Sequence, residues 1–519
     1  ALHISVKAAR RTYRPVAEAS ISAEMQQMVE KEVWTPLHHH TLTPEEKRAT
    51  IRSSMFLKEK WHLLTGAFDK LKSRLVAGGD QQDRNLYEDL SSPTPTTSSV
   101  MAVMALATHE GRKVMTVDIK GAFLNVDLTK TGVKLLMKLD KEMSKVLVAL
   151  FPEFAKYVDA NGCITVRLDK AIYGIVEAAL LWYQDLRSTL EGFGFTVNPA
   201  DVCVFNCHGS DGGQCTALIH VDDITVSAFS DEMLEIVYEL LKDKYGEVTV
   251  SRGLRHDYLG AVWDFTRAGE VHVSMDRYVD SVLDECGVSG SAKTPAKDDL
   301  FVQSVSSDTA DGGVDHATLV DEPTRQWFHS FTAKMLYLAK MLRRECLTAV
   351  AYLSTRVTCA TEGDVCKLKR LLQYLRATRT MGLRLCVGSK GVRVSAAADA
   401  AYAVHADGKS HTGGALMLGE SACVLGRSAK QRIVTKSSTE AELVAVSDFV
   451  NCAYGLQNFL RAQGYRVPPI RILQDNTSTM ALLAKGRATS DRSRHIDVRY
   501  FWLSERAVKK EVVIEHMPT

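Results

Sequence analysis

The stretch Leu218-Ile219-His220-Val221-Asp222-Asp223-Ile224-Thr225-Val226 constrains this chain more than any other. An apolar, β-branched run leads to two adjacent aspartates and a second such run leads away. That predicts strand, tight turn, strand, with both carboxylates at the tip. Two neighbouring carboxylates repel, so keeping both ionised requires a cation beside them. Aspartate at a hairpin turn is also ordinary turn chemistry, and the pair alone does not choose between these readings.

A third carboxylate shifts the balance. Upstream lies Lys113-Val114-Met115-Thr116-Val117-Asp118-Ile119-Lys120-Gly121-Ala122-Phe123-Leu124-Asn125, another apolar β run that delivers an aspartate at its end. Three carboxylates on adjacent strand ends can hold two divalent metals roughly 3.5–4 Å apart, one beside an attacking oxygen and one beside a leaving group. Mg²⁺ prefers such oxygen ligands and keeps its other positions for water and substrate phosphates; Mn²⁺ fits the same donors.

Composition bounds the remainder. The 519 residues suffice for three or four cores. A formal net charge of +2 rules out an argument for nucleic acid from bulk charge, so any basic surface is local. The 11 cysteines occur as singles with no C-x-x-C, which points to buried thiols rather than zinc or disulfides. No apolar run approaches the roughly 20 residues of a membrane span, and no signal peptide is visible. The chain starts at Ala1 and stops at Pro518-Thr519, which reads as a segment of something longer.

The two aspartate motifs, with Leu75-Val76-Ala77 before them and Lys170-Ala171-Ile172-Tyr173-Gly174 between them, resemble the reverse transcriptase of copia-type LTR retrotransposon Pol polyproteins. The motif order matches across nearly the whole chain. The resemblance implies an α+β, multidomain architecture, a right-hand polymerase with fingers, palm and thumb/connection followed by an α/β ribonuclease H-like domain. The implied division is 1–270 for fingers and palm, 271–390 for thumb/connection helices with a linker near 304–315, and 391–519 for the ribonuclease H-like domain, truncated at its C-terminus. It implies Asp118, Asp222 and Asp223 as catalytic metal ligands. It implies an RNA template, a DNA primer, an RNA–DNA hybrid and dNTPs as partners. A cytoplasmic virus-like particle, or the nucleus, is the implied location; no membrane is implied, and the oligomeric state is left open.

Residues 1–60 are mostly helical in pattern, with a helix over Ala17 to Val33 ended by Trp34-Thr35-Pro36. His38 to His40 reads as a solvated turn, because three consecutive side chains point different ways. Met55 to Ala77 alternates like a hairpin with its bend at Thr65-Gly66. The resemblance makes this the fingers hairpin and gives Lys72 and Arg74 contacts to the incoming triphosphate; a solvated basic strand explains either alone. Asp89 to Thr108 reads as a polar lead into a helix. Phe123 is implied to lie under the nucleotide sugar and exclude a 2′-hydroxyl, the alternative being a core phenylalanine. Residues 131–169 read as a variable insert with short strands. Gly174 is implied to let the template–nucleotide pair approach the backbone, the alternative being a helix-entry glycine.

Four departures from the family pattern stand out: Gly78-Gly79-Asp80 in place of Arg-Gly-aromatic, Glu177-Ala178-Ala179 near the expected groove, His220 for Tyr, and Ala401 for Asp. An acidic side chain at 177 is expected to disturb local binding. Residues 232–245 read as an amphipathic helix, and Tyr258-Leu259-Gly260 as a primer-gripping turn or a plain β-turn. Tyr278 to Cys286, Lys334 to Arg344 and Val365 to Arg376 read as helices, Ser304 to Asp315 as a linker. Lys367, Lys369, Arg370 and Arg376 fit a phosphate backbone and fit a solvated helix face equally well.

From Gly391 the pattern changes. Val392 to Asp399 is a strand delivering an aspartate, Gly413 to Leu418 continues as strand, Ser437-Ser438-Thr439-Glu440-Ala441-Glu442-Leu443 opens a capped helix, and Ile470 to Asp475 is a buried-type strand ending in aspartate. Strand-Asp, helix-Glu, strand-Asp is the layout of a ribonuclease H fold, and by the resemblance Asp399, Glu442 and Asp475 are catalytic metal ligands. Glu440 is expected to be a capping or surface carboxylate. Arg494-His495-Ile496-Asp497 resembles a further family signature, and the family's fourth carboxylate is expected beyond Thr519.

The expected function is RNA-directed DNA polymerase with an attached ribonuclease H, two Mg²⁺ ions at each site. A decayed or repurposed copy that binds nucleic acid without catalysis is the rival, as is a ribonuclease with a vestigial palm. The four departures favour the first rival; the presence of all six acids opposes it.

Overall fold

The palm-like sheet at the centre of the chain is antiparallel and places its aspartates at one edge of its ladder. The computed structural model describes residues 4–61, 68–87, 90–210, 212–302, 319–485 and 497–518, and the described residues form four sheets. The bend at Thr65-Gly66, Asp89, the polar stretch over 304–315 and residues 494–496 lie outside the described residues.

Helix α1 (Val6–Glu30) is capped by Ser5, whose Oγ accepts from Ala8 N at 3.3 Å. It buries Ala17, Ile21, Met25 and Met28 at helical spacing. It begins earlier than the apolar pattern suggests, joined across a kink at Tyr13 two residues ahead of Pro15. Strands β1 (Ile51–Trp61) and β2 (Phe68–Ala77) form the expected antiparallel hairpin. The strand Leu136–Leu139 pairs with the start of β1, and Ile164–Leu168 and Trp34–Leu37 follow it in the same sheet. Residues 131–169 carry the short strands expected of them, and both strands join this sheet. They also carry a helix, Lys141–Leu150, capped by Asp140.

Helix α2 (Thr97–His109) is buried along ten consecutive residues. The second sheet runs in the order β6 (Val248–Arg252), β3 (Lys113–Ile119), β5 (Asp223–Ala228), β4 (Gln214–His220), Asp201–His208, Thr196–Asn198. Its two faces enter different cores, as the period of two demands. Leu218 and Val204 join the cluster shared with the C-terminal half, whereas Ile219, Cys203 and Phe205 join the cluster shared with the fingers.

A third, four-stranded antiparallel sheet links Arg255–Tyr258, Ala261–Asp264, Glu270–Ser274 and the distant Leu383–Cys386. The helices Asp276–Glu285, Glu322–Met341, Leu347–Ser354 and Glu362–Ala377 lie between its last two strands in sequence. The fourth sheet is mixed. Ala422–Lys430, His411–Leu418 and β7 (Val394–Ala401) are antiparallel, whereas β7, β8 (Ile470–Gln474) and Val512–His516 are parallel. Helix α3 (Ser438–Ala462) crosses it. Among the described residues no helix is long and apolar enough to cross a membrane.

The C-terminal end of α3 is fastened to the back of the second sheet. Asn198 Nδ2 donates to Phe459 O at 3.1 Å, Gln214 Nε2 to Gln463 O at 2.9 Å, and Tyr465 Oη to Glu110 Oε1 at 2.7 Å. Arg112, 9 % exposed, donates to Thr216, Gln214 and Tyr465 and pairs with Glu110 at 2.6 Å. A buried guanidinium satisfied on every side specifies one docking geometry.

Candidate active sites

Asp118 ends β3 and Asp223 opens β5, and the ladder sets them directly opposite one another. Asp222 lies in the turn between β4 and β5. Val221, the other turn residue, has φ +57°, a left-handed conformation that strains a β-branched residue. Trp182 Nε1 holds that turn by donating to Val221 O at 2.7 Å. The Asp222 carboxylate accepts from Tyr173 Oη at 3.3 Å. Burial and the Asp222 charge push the Tyr173 hydroxyl up, which keeps it a proton donor. Burial and then the charge of Asp222 push the Asp223 carboxyl up to about 6, with Asp118 and Asp257 adding to the rise and His220 opposing it. His220 is the cross-strand partner of Asp223, so the residue in place of tyrosine supplies a favourable field.

A cleft of about 370 Å³ opens beside Asp118, lined by Lys70, Lys72, Arg74, Lys120 and Tyr173 among others. Burial, and then repulsion from Arg74, lowers the Lys72 ammonium, while Asp118 raises it. Arg74 lies over the Tyr173 ring with its guanidinium carbon 4.0 Å from the centroid. Phe123, 6 % exposed, meets the same ring edge-on at 4.7 Å and 71°. Tyr173 therefore touches an arginine, a phenylalanine and an aspartate of the candidate site at once.

Gly174 has φ +95°, and a Cβ there would lie 2.2 Å from Ala77 O and 2.5 Å from Val76 Cγ1. Its close approach is to the fingers strand β2, which accounts for the glycine without a nucleotide. Glu177 is 4 % exposed and accepts from Gln82 Nε2 at 3.0 Å, with Tyr87 beside it, so it sits in a buried polar network rather than a groove. The expected disturbance of binding by Glu177 is corrected accordingly. Tyr258-Leu259-Gly260 forms a tight hairpin turn with Leu259 and Gly260 both left-handed, φ +55° and +73°.

The second acidic group is tighter. Ligand oxygens of Asp399, Glu442 and Asp475 all lie within 4.8 Å of one another. Among the described residues this is the one trio of acidic, histidine or cysteine side chains at that spacing; the palm aspartates, adjacent in the ladder, are not drawn so close. Parallel pairing of Ala397 with Leu473 brings the ends of β7 and β8 together, and the first turns of α3 deliver Glu442. Glu442 is buried and accepts from Ala400 N at 3.1 Å and Gln474 Nε2 at 3.3 Å. Burial and then the Asp399 charge raise its carboxyl well above the usual range. Glu440 is a capping carboxylate as expected, accepting from Lys436 N at 2.7 Å, but it is buried rather than at the surface.

The basic face of Glu362–Ala377 is occupied internally. Lys367 donates to Val302 O at 2.5 Å, Arg370 to Thr294 Oγ1 at 2.9 Å, and Arg376 to Leu283 O and Val288 O at 3.2 and 2.9 Å. These three cations brace the segment 283–302, while Lys369 and Arg376 are also exposed to solvent.

The sequence alone does not single out four contributors. Tyr173 was part of a motif with no role given to it. Gln474, fully buried, accepts from Asp475 N and Asn476 N at 2.8 and 2.9 Å and fixes the turn carrying Asp475; its only signal is a polar residue at the end of an apolar strand. Glu24 and Ser20 on α1 carry no local signal at all.

A family model described as reverse transcriptase (RNA-dependent DNA polymerase) matches residues 38–297. The retrovirus-related Pol polyprotein from transposon RE1 of Arabidopsis thaliana is 25% identical over 494 residues, 94% of this chain and 31% of that protein. The transposon Ty1-DR6 Gag-Pol polyprotein of Saccharomyces cerevisiae is 20% identical over 515 residues, 96% of this chain and 27% of that protein. The chain thus spans about a third or less of the length of these relatives. In fold it is similar to a foamy viral protease–reverse transcriptase solved with an RNA/DNA hybrid, with a TM-score of 0.52 at 12% identity, over all of this chain and 54% of that one. With half of its length matched by the family model and its aspartate-bearing hairpin inside the match, the chain belongs to the reverse transcriptase family, of the kind carried by copia-type LTR retrotransposon Pol polyproteins.

Proposed function

We propose that this chain extends a DNA primer on an RNA or DNA template. The observation that carries the reading is the cleft in which Lys72 and Arg74 face Asp118 beside the Asp222-Asp223 turn. The all-oxygen donor set of Asp118, Asp222 and Asp223, and the burial and neighbouring Asp222 charge that raise Asp223, fit a hard divalent cation, Mg²⁺ or Mn²⁺. When bound, such ions supply charge neutralisation at the attacking and leaving oxygens. Lys72 and Arg74 bind the triphosphate through charge-assisted hydrogen bonds. Tyr173 orients Asp222, and Phe123, rigid against Tyr173, excludes a 2′-hydroxyl. The primer 3′-oxygen attacks the α-phosphate of the dNTP and pyrophosphate leaves.

Asp399, Glu442 and Asp475 support ribonuclease H action on the RNA strand of a hybrid, with water as nucleophile. Their convergence and the raised Glu442 carboxyl fit the same class of cation. Gln474 keeps Asp475 and Glu442 in place. The division into 1–270, 271–390 and 391–519 follows from the same reading, as does an RNA template, DNA primer and RNA–DNA hybrid as partners.

Primer extension with Mg²⁺, unmodified chain against Asp222→Asn, tests the polymerase reading. Loss of extension in the variant is expected; equal extension by both overturns it and leaves the non-catalytic, nucleic-acid-binding reading.

A further inference from the structure

We propose that helix α1, which lies outside the family-matched stretch, sets the register of the nucleotide-binding strand through a two-rung ladder made by Ser20 and Glu24. The inference rests on the polymerase reading and adds positioning residues to it.

Strand β2 pairs with β1 on one side only, so its other edge presents backbone groups that need partners. Three successive outward N–H groups find them. Ser73 N donates to Ser20 Oγ at 2.9 Å, Leu75 N to Glu24 Oε1 at 3.0 Å, and Ala77 N to Tyr173 O at 2.8 Å. Ser20 Oγ in turn donates to Leu71 O at 2.9 Å and accepts from Ser73 Oγ at 2.8 Å. Ser20 and Glu24 are four residues apart on one helix face, a rise of about 6 Å. Alternate residues of a strand are about 6.6–6.8 Å apart, so the two side chains meet successive outward N–H groups.

The register matters because Leu71, Ser73, Leu75 and Ala77 are buried while Lys70, Lys72, Arg74 and Val76 face the other way. A slip of one residue would turn Lys72 and Arg74 from the cleft into the core. The ladder adds to the packing of Leu71, Leu75 and Ala77, the β1 pairing and the Tyr173 carbonyl in preventing this. Glu24 also lies in the field of both cations, which oppose the rise that burial imposes on its carboxyl. Glu24 and Ser20 line the same cleft as Asp118. They act through β2 and are positioning residues.

The test uses the full chain and two readouts. Amide exchange at Ser73 and Leu75 without nucleotide reports the ladder alone. Glu24→Ala is expected to speed exchange at Leu75 about tenfold, and Ser20→Ala at Ser73, while Glu24→Gln, whose amide oxygen still accepts, stays within about threefold of the unmodified chain. Steady-state extension on a primed RNA template with Mg²⁺ reports positioning. Glu24→Ala is expected to raise KM for dNTP about tenfold with kcat changed less than about threefold, and Glu24→Gln to restore most of the difference. Where truncation to alanine unfolds the chain, Glu24→Leu, similar in bulk but without an acceptor, takes its place. Unchanged exchange, unchanged KM, a loss confined to kcat, or Glu24→Gln no better than Glu24→Ala each overturns the inference. No extension by the unmodified chain counts against the polymerase reading instead, and amide exchange then decides for or against the ladder by itself.

Discussion

Asp118 and Asp223 are direct cross-strand partners in the β3–β5 ladder, their side chains on one face of the sheet. Like charges so placed destabilise a sheet. Burial, then the charge of Asp222, and to a lesser degree that of Asp118, raise the Asp223 carboxyl from its ordinary value of 3.8 to about 6. Between those limits the folded state binds more protons than the unfolded one, so this residue's contribution to stability declines as pH rises from 3.8 to about 6. Asp223→Asn should remove that decline, melting slightly higher than the unmodified chain at pH 7 in EDTA, and should lose primer extension by at least about 100-fold. Thermal melts with and without Mg²⁺, beside an extension assay, check both; lower stability of the variant in EDTA would contradict the repulsion.

The Asp399–Glu442–Asp475 group should bind Mn²⁺ or Mg²⁺ with release of a proton, because burial and Asp399 raise the Glu442 carboxyl. Calorimetry in buffers of different ionisation enthalpy should show more proton release near pH 6 than near pH 8.5. Asp475→Asn should weaken binding at this site roughly 10-fold or more and abolish hybrid cleavage. The same stoichiometry in the variant would exclude Asp475 as a ligand.

Phe123 is packed edge-on against Tyr173 and has little freedom to yield. Phe123→Val should lower discrimination against ribonucleotides by about 10- to 100-fold while leaving dNTP use closer to normal. Competition between dATP and ATP at a single template position measures it. Undiminished discrimination would return Phe123 to the core.

Gly174→Ala places a methyl group 2.2 Å from Ala77 O at a backbone φ of +95°. The chain must open between residue 174 and β2, at a cost of about 2–4 kcal/mol. Denaturant unfolding should show the loss, and the variant should also bind dNTP more weakly because Ala77 N loses the Tyr173 carbonyl. A silent substitution would mean that the 173–175 loop is free to move.

Strands ending in aspartate were legible because a period of two, β-branched residues and a terminal acid all sit within a few positions. The choice of Glu442 over Glu440 also followed local spacing, one carboxylate facing the sheet ends and the other folding back on its own cap. The helix Lys141–Leu150 was overlooked although Asp140 announces it, accepting from Met143 N at 2.8 Å. What local patterns could not supply were partners far apart in sequence. Glu177 looked like a repulsive charge because Gln82 and Tyr87 lie on another loop. Lys367, Arg370 and Arg376 looked available because the carbonyls and hydroxyl they hold belong to the 283–302 segment. Ser20 and Glu24 are unremarkable helical residues until β2 is laid beside them.

The fastening of α3 at Asn198, Gln214 and Tyr465 ties the sheet that carries Asp118 and Asp223 to the helix that carries Glu442. A duplex long enough to reach both would be cut at a tract length dictated by the protein's own dimensions, so loosening Arg112 or Tyr465 should blur the sizes of the fragments rather than the chemistry at either end.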